Sequence, residues 1–157
     1  MNKDKKDLMN YDSNSVAFIV GTAKALIGGK KQIVLEKAPK EAYADKTLVP
    51  LSAIVQVFGA KVKYDSDSKQ ITIRYGKNVG VLTADNPLIS INGNIIRQID
   101  YMNPIVDDGV VMVPVRPVVE LILGKYVSYS SGAVYISNDP FVQIGQGTAH
   151  VLGRVLE

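Results

Sequence analysis

Apolar residues along this chain arrive in short runs closed by Gly, Asn, Asp or Pro, and only twice at helical spacing. Short apolar runs bounded by turn residues predict strands. Residues 79–83 and 88–91 read as two of them, joined across Ala84-Asp85-Asn86-Pro87. A third strand over 94–99 returns from Asn92-Gly93. Asn-Gly is a strong hairpin signal, because a type I′ turn needs positive φ at both central residues. Asn103-Pro104 and Asp107-Asp108-Gly109 then mark an irregular extended connection. Val113-Pro114 opens a helix, where the missing proline N–H costs nothing in the first turn. Val115, Val118, Val119 and Ile122 fall at i, i+3, i+4 and i+7 on one face, and Gly124 stands where a left-handed residue stops the helix. Residues 126–130 and 133–137 form a closing hairpin over Ser131-Gly132.

The first half repeats this plan. Residues 16–20 and 24–27 are strands, and Gly28-Gly29 turns the chain into a third over 31–35. Pro50 opens a helix whose apolar face is Leu51, Ile54, Val55 and Phe58, and Gly59 closes it. Residues 61–64 and 70–74 make the closing hairpin. Pro50 and Pro114 lie 64 positions apart (114 − 50), Gly59 and Gly124 lie 65 apart (124 − 59), so one residue is inserted between them. A repeat of this length makes the chain two copies of one supersecondary unit. The fold expectation is α+β: two tandem β-β-β-α-β-β units, each an antiparallel sheet with one helix packed across a face. Burying four apolar side chains per helix contributes roughly 1.5–3 kcal/mol each. The boundaries that follow are a flexible segment over 1–15, one unit over 16–75, a second over 76–138 and an extension over 139–157. Phe141 to Ile144 in that extension offer a further strand for an exposed edge, in this chain or in a second copy, or equally the opening of a further domain.

Composition narrows the chemistry. A chain of 157 residues, 46% hydrophobic and 21% charged, is an ordinary globular protein. The net charge of +3 is modest, and the cations (Lys3, Lys5, Lys6, Lys30, Lys31, Lys61, Lys63) are scattered. A nucleic-acid groove wants them on one face with aromatics between, so no nucleic-acid partner is expected. No cysteine is present, which removes disulfides, thiolate catalysis and thiolate metal sites. Residues 1–10 are charged and carry no apolar h-region, so no signal peptide is read there. A cytoplasmic protein and an exported one without its leader would look the same. No apolar run approaches the length of a membrane span.

Thr47-Leu48-Val49-Pro50-Leu51, Phe58-Gly59-Ala60-Lys61-Val62, Tyr64-Asp65 and Ile71-Thr72-Ile73 together resemble the copper amine oxidase N-terminal-domain-like module. So do Ile91-Asn92-Gly93, Val113-Pro114-Val115-Arg116 and Glu120. The likeness covers about residues 16 to 137. Ser52 departs from it, standing where the family commonly has Arg, while Arg116 keeps that residue. The resemblance implies tandem copies in exported and cell-surface proteins of Gram-positive bacteria, and a stalk remote from any active site. It does not imply copper. The oxidases hold copper on three histidines, beside a tyrosine converted to a quinone. This chain has only His150, and Asn10-Tyr11-Asp12 is followed by Ser13 in place of a second tyrosine.

Other candidates resolve into structure. His150 has no base-orienting neighbours for a triad. Asp65-Ser66-Asp67-Ser68-Lys69 starts like a calcium loop but has Gln70 and Gly76 where an EF-hand needs Gly and Glu, so it reads as a hairpin turn. Gly145-Gln146-Gly147 lacks the third glycine of a phosphate cradle. No catalytic residue, metal site or cofactor is therefore expected. Arg116 and Glu120, at i and i+4, form a helix-surface pair or anchor the helix to a partner. Tyr64 and Tyr129, repeat-equivalent, are expected to cap the core; the sequence leaves open whether Tyr75 and Tyr135 face solvent, where they would suit a sugar ring or a protein interface. The expected function is a non-catalytic extracellular or cell-surface stalk, spacer or protein-interaction domain. The alternative is a carbohydrate or cell-wall-polymer binding module using those tyrosines.

Overall fold

A computed structural model describes residues 15–43, 46–97, 103–130 and 132–138. Among them the chain forms fourteen strands and two short helical segments. The strands are β1 (Val16–Ile19), β2 (Lys24–Ile27), β3 (Lys31–Val34), β4 (Lys40–Tyr43), β5 (Lys46–Pro50), β6 (Lys61–Asp65) and β7 (Gln70–Tyr75). They continue as β8 (Asn78–Thr83), β9 (Leu88–Ile91), β10 (Asn94–Arg97), β11 (Ile105–Asp107), β12 (Val110–Pro114), β13 (Tyr126–Ser130) and β14 (Ala133–Ser137). Helix α1 (Leu51–Phe58) follows β5; helix α2 (Val115–Pro117) follows β12 and runs on as the π-helical stretch π1 (Val118–Leu123). Three sheets result: sheet I in the order β13-β14-β1-β2-β3, sheet II in the order β10-β9-β8-β7-β6, and sheet III in the order β11-β12-β5-β4.

The α+β expectation of two β-β-β-α-β-β units is corrected here. The protein is mostly β, and no sheet is built from one copy by itself. The reason is the shortness of the connection after β7. Tyr75 pairs with Asn78 across Gly76-Lys77, with Gly76 at φ 57°, so β7 and β8 form a tight hairpin. Neighbouring strands joined by the shortest loop pair at the least entropic cost. The hairpin that ends the first half therefore belongs to the same sheet as the strands that open the second. The last hairpin, β13 and β14, then completes the sheet begun by β1 to β3, with Val16 opposite Ile136 and Phe18 opposite Val134. The extended segments before the helices are also strands. Asp108 and Gly109 take φ 49° and 79°, the positive pair of a two-residue hairpin turn that joins β11 to β12.

Two compact units emerge, 1–40 with 125–157, and 41–124, each drawing on both halves of the sequence. The first holds sheet I. Its Val16, Ala17, Phe18, Ala25, Leu26, Val134, Tyr135 and Ile136 are all buried. Every residue of β14 is buried, and the strand lies inside the sheet between β13 and β1.

The second unit holds sheets II and III and both helices. In sheet III, Leu48 faces Pro114, Val49 faces Val113 and Pro50 faces Met112. Because these are the matching Leu/Met-Val-Pro runs of the two halves, the pairing is self-complementary about Val49 and Val113. Leu48, Val49, Met112 and Val113 are fully buried. Helix α1 is only eight residues long and buries Leu51, Ala53 and Ile54. Val55, expected on its apolar face, is instead 40% exposed, and Ala53 takes the inner position. Gly59 and Gly124, at φ 74° and 66°, end the helices in the left-handed conformation that glycine adopts without a Cβ clash.

The inserted residue explains the π-helix. Gly59 N–H donates to Val55 C=O, four residues back, whereas Gly124 N–H donates to Val119 C=O, five residues back. One extra residue between Pro114 and Gly124 is absorbed by widening the turn. Val118, Val119 and Ile122 stay fully buried on that widened turn, which packs on β7 and β8. Gly80 of β8 lies beneath it. A Cβ there would meet Ile122 Cδ1 at 2.2 Å and Cγ1 at 2.6 Å, so any larger residue requires the Ile122 side chain to shift.

Candidate functional site

The residues singled out from sequence do not converge. Arg116 Nη1 donates to Glu120 Oε1 at 2.8 Å, an i,i+4 ion pair on the outer surface of α2 and π1 with both side chains partly exposed. Such a pair is worth a few tenths of a kcal/mol in water. Tyr75 is half-buried at the end of β7. Tyr135 is 2% exposed, so its ring does not face solvent, and its candidacy for a sugar or protein contact is corrected. The sequence reading made β14 the last strand of its own hairpin, but β1 pairs along it and places it inside sheet I. Tyr126, not singled out before, is the exposed ring of that hairpin at 47%. Tyr64 and Tyr129 are half-buried at matching positions, opposite Ile71 and Val134.

The turn that starts like a calcium loop is a hairpin turn. Asp65 Oδ1 accepts hydrogen bonds from the backbone N–H groups of Asp67 (2.9 Å) and Ser68 (3.3 Å), and Lys69 takes φ 61°. Its carboxylate thus serves the turn. Among the described residues no group of three His, Asp or Glu side chains is placed to hold a metal ion. No helix among the described residues is long and apolar enough to cross a membrane. Asn10-Tyr11-Asp12, Phe141 to Ile144, Gly145-Gln146-Gly147 and His150 lie outside the described residues.

A polar network stitches sheet II to the end of π1. Asn92, at φ 51° in the Asn92-Gly93 turn, accepts from Val79 N–H at 2.8 Å through Oδ1. Its Nδ2 donates to Asn78 Oδ1 at 3.0 Å, and Asn78 Nδ2 donates to Ile122 C=O at 3.0 Å. The last carbonyls of a helix lack intrahelical partners. Asn78 supplies one from the neighbouring sheet.

One surface feature was hidden in the sequence. Lys61 lies directly opposite Arg74 and Lys63 opposite Thr72 on β6 and β7. Alternation along a strand puts these four side chains on one face, away from Ile71 and Ile73. Lys61, Val62, Lys63, Thr72 and Arg74 line a shallow, solvent-open cleft of about 300 Å³. Lys61, Lys63 and Arg74 are exposed and have no ion-pair partner among the described residues. The sequence shows these cations thirteen positions apart at the extremes (74 − 61); only the hairpin register brings them side by side. The pattern Lys-Val-Lys-Tyr over 61–64 was the available signal, but it needed the strand pairing to be known.

Comparison with curated proteins gives no match. The family profile for the copper amine oxidase N-terminal domain matches residues 29–138, well over half of the 157 residues. This single match spans both halves of the repeat, from the β2–β3 turn to the end of the last hairpin, and takes in all of sheets II and III. In the copper amine oxidases this domain is non-catalytic. The chain therefore belongs to the copper amine oxidase N-terminal domain family.

Proposed function

We propose that this protein is a non-catalytic spacer or protein-interaction module presented at a bacterial cell surface. The observation that carries the reading is what the recurring residues do. Leu48 and Met112, Val49 and Val113, Ile71 and Val134, and Ile73 and Ile136 are buried. Pro50 and Pro114 lead into the helices, and Gly59 and Gly124 end them. Residues that recur in both halves thus build strands, core and caps, and none of these is a nucleophile, general base or metal ligand. Function lives in sites carried on a fold; here the duplicated part is framework. Membership of a non-catalytic family agrees with that.

Two measurements test the reading. Protease shaving of intact source cells, with an antibody to the chain, reads its location; protection from shaving on intact cells and release only on lysis contradicts surface presentation. In-frame replacement by an unrelated folded domain of similar length reads its role. Full restoration supports a spacer, failure with the surface level unchanged supports an interaction domain, and turnover by the purified chain overturns both.

A further inference from the structure

We propose that the β6–β7 face of sheet II, formed by Lys61, Lys63, Thr72 and Arg74, binds phosphate groups along a flexible, base-free polymer of the polyol-phosphate kind. The proposal deepens the surface-module reading and rests on it for the setting in which such a polymer is met.

The first support is an internal control within the fold. Sheets I and II share one register: Lys61 opposite Arg74 corresponds to Tyr126 opposite Ser137, and Lys63 opposite Thr72 corresponds to Ser128 opposite Tyr135. The same hairpin is therefore built in sheet I without any charge at these places. In sheet I, Tyr135 and Ser137 are buried; in sheet II, Thr72 is half-buried and Arg74 exposed. The cations are thus a property of this face and no requirement of the hairpin.

The second support is that the arrangement opposes stability. Like charges directly opposite on neighbouring strands are unfavourable, and Lys61 faces Arg74. Lysines on an edge strand guard against edge-to-edge pairing, which accounts for Lys61 and Lys63 on β6. It does not account for Arg74, because β7 lies between β6 and β8. An anion set between the two strands relieves the repulsion, and Arg74 adds a planar donor fork suited to phosphate oxygens.

The shape selects the ligand. An open cleft leaves each contact screened by water, so a single ion pair contributes little. Affinity here needs several charges engaged together. Lys61 and Lys63 are two residues apart along β6, about 6.6 Å, a row suited to successive phosphates on one chain. Stacking on aromatic rings is what holds nucleic-acid bases. Tyr64 and Tyr75 point to the opposite face of sheet II, and the basic face continues through Gln70, Val79, Val81, Thr83 and Ser90, none of them aromatic. Asp65, next along β6 on this face, keeps its negative charge but is held at the end of the row, where its Oδ1 accepts from the backbone N–H groups of Asp67 and Ser68.

The test is titration of the purified full chain at low salt with a synthetic glycerol-phosphate oligomer, a single-stranded oligonucleotide of equal charge, and inorganic phosphate. Each is repeated with Lys61→Gln/Arg74→Gln and with Lys30→Gln/Lys31→Gln, which removes two exposed charges where the β2–β3 turn enters β3. The expected result is oligomer binding that falls about ten-fold in the first variant and is unchanged in the second. Its salt dependence should become shallower by about one unit per residue removed. Equal losses in both variants, tighter binding of the oligonucleotide, or no oligomer binding at low salt would each overturn the proposal. A matching melting temperature shows that the variants are folded. Cell shaving reads location independently, so either conclusion can fail alone.

Discussion

Placing a methyl group on Gly80 tests the close approach of β8 to π1. Gly80 sits on β8 without a left-handed φ, so alanine fits the backbone there. In the unfolded chain, Gly→Ala removes conformational freedom, which by itself stabilises by about 0.4–1 kcal/mol. Packing opposes this, since the new Cβ would lie 2.2 Å from Ile122 Cδ1 and 2.6 Å from Cγ1. Ile122 is fully buried on π1, so its side chain can yield only by displacing packed neighbours. Overpacking of this kind costs about 1–3 kcal/mol, so Gly80→Ala should be net destabilising by about 1–2 kcal/mol. Ile122→Ala removes both crowding atoms and by itself costs about 2–5 kcal/mol, much of it the void left behind. The Gly80 methyl enters that void, so the double variant should be more stable than the sum of the singles by about 1–3 kcal/mol. Urea unfolding followed by circular dichroism gives all four stabilities, with equal m-values as the check on a common transition. A Gly80→Ala protein at least as stable as the parent, or strict additivity, would show that π1 does not rest on β8 as described.

Three further outcomes follow from buried and bridging groups. Thr47 is 5% exposed and its Oγ1 has no hydrogen-bond partner among the described residues, while the corresponding place in the second half carries Val111. Thr47→Val should raise stability by about 1 kcal/mol, or roughly 2–4 °C in Tm; a fall would mean that the hydroxyl is bonded. Asn78→Ala removes the partner of the Ile122 carbonyl and of Asn92, and should cost about 1–3 kcal/mol. Hydrogen exchange of the amides of β8 is the sensitive readout, and unchanged protection would refute the bridge. Arg116→Ala should cost no more than about 0.5 kcal/mol at low salt and nothing measurable at 1 M, because its bond to Glu120 is exposed. A larger loss that persists at high salt would give that pair a structural role.

Ten of the strands, and the starts and stops of both helices, were legible because they depend on neighbours in the chain. Asn92-Gly93, Gly59 and Gly124 act through their own φ, and Pro114 through its missing N–H. The strands β11 and β12 were missed although Asp108-Gly109 is as good a turn signal as Asn92-Gly93; the short runs beside it looked like connection. Val55 was placed on the buried face of α1 by spacing, yet an eight-residue helix offers only a narrow inner stripe, which Ala53 shares. The basic cleft could not be read, because Lys61 and Arg74 meet only through register.

The sequence by itself determined the repeat, the local elements and the absence of cysteine chemistry. It also determined where one residue had been inserted, and the π-helix is the structural form of that insertion. Tertiary structure alone decided which strands share a sheet. Each five-stranded sheet combines a hairpin from one half with three strands from the other, β7 with β8 through a two-residue turn and β14 with β1 across the length of the chain. Hydrophobic alternation tells a strand which face to bury but not which neighbour to choose. That choice comes from loop closure, register and the burial gained by the whole sheet, and it also set which tyrosine is covered and which cations stand together.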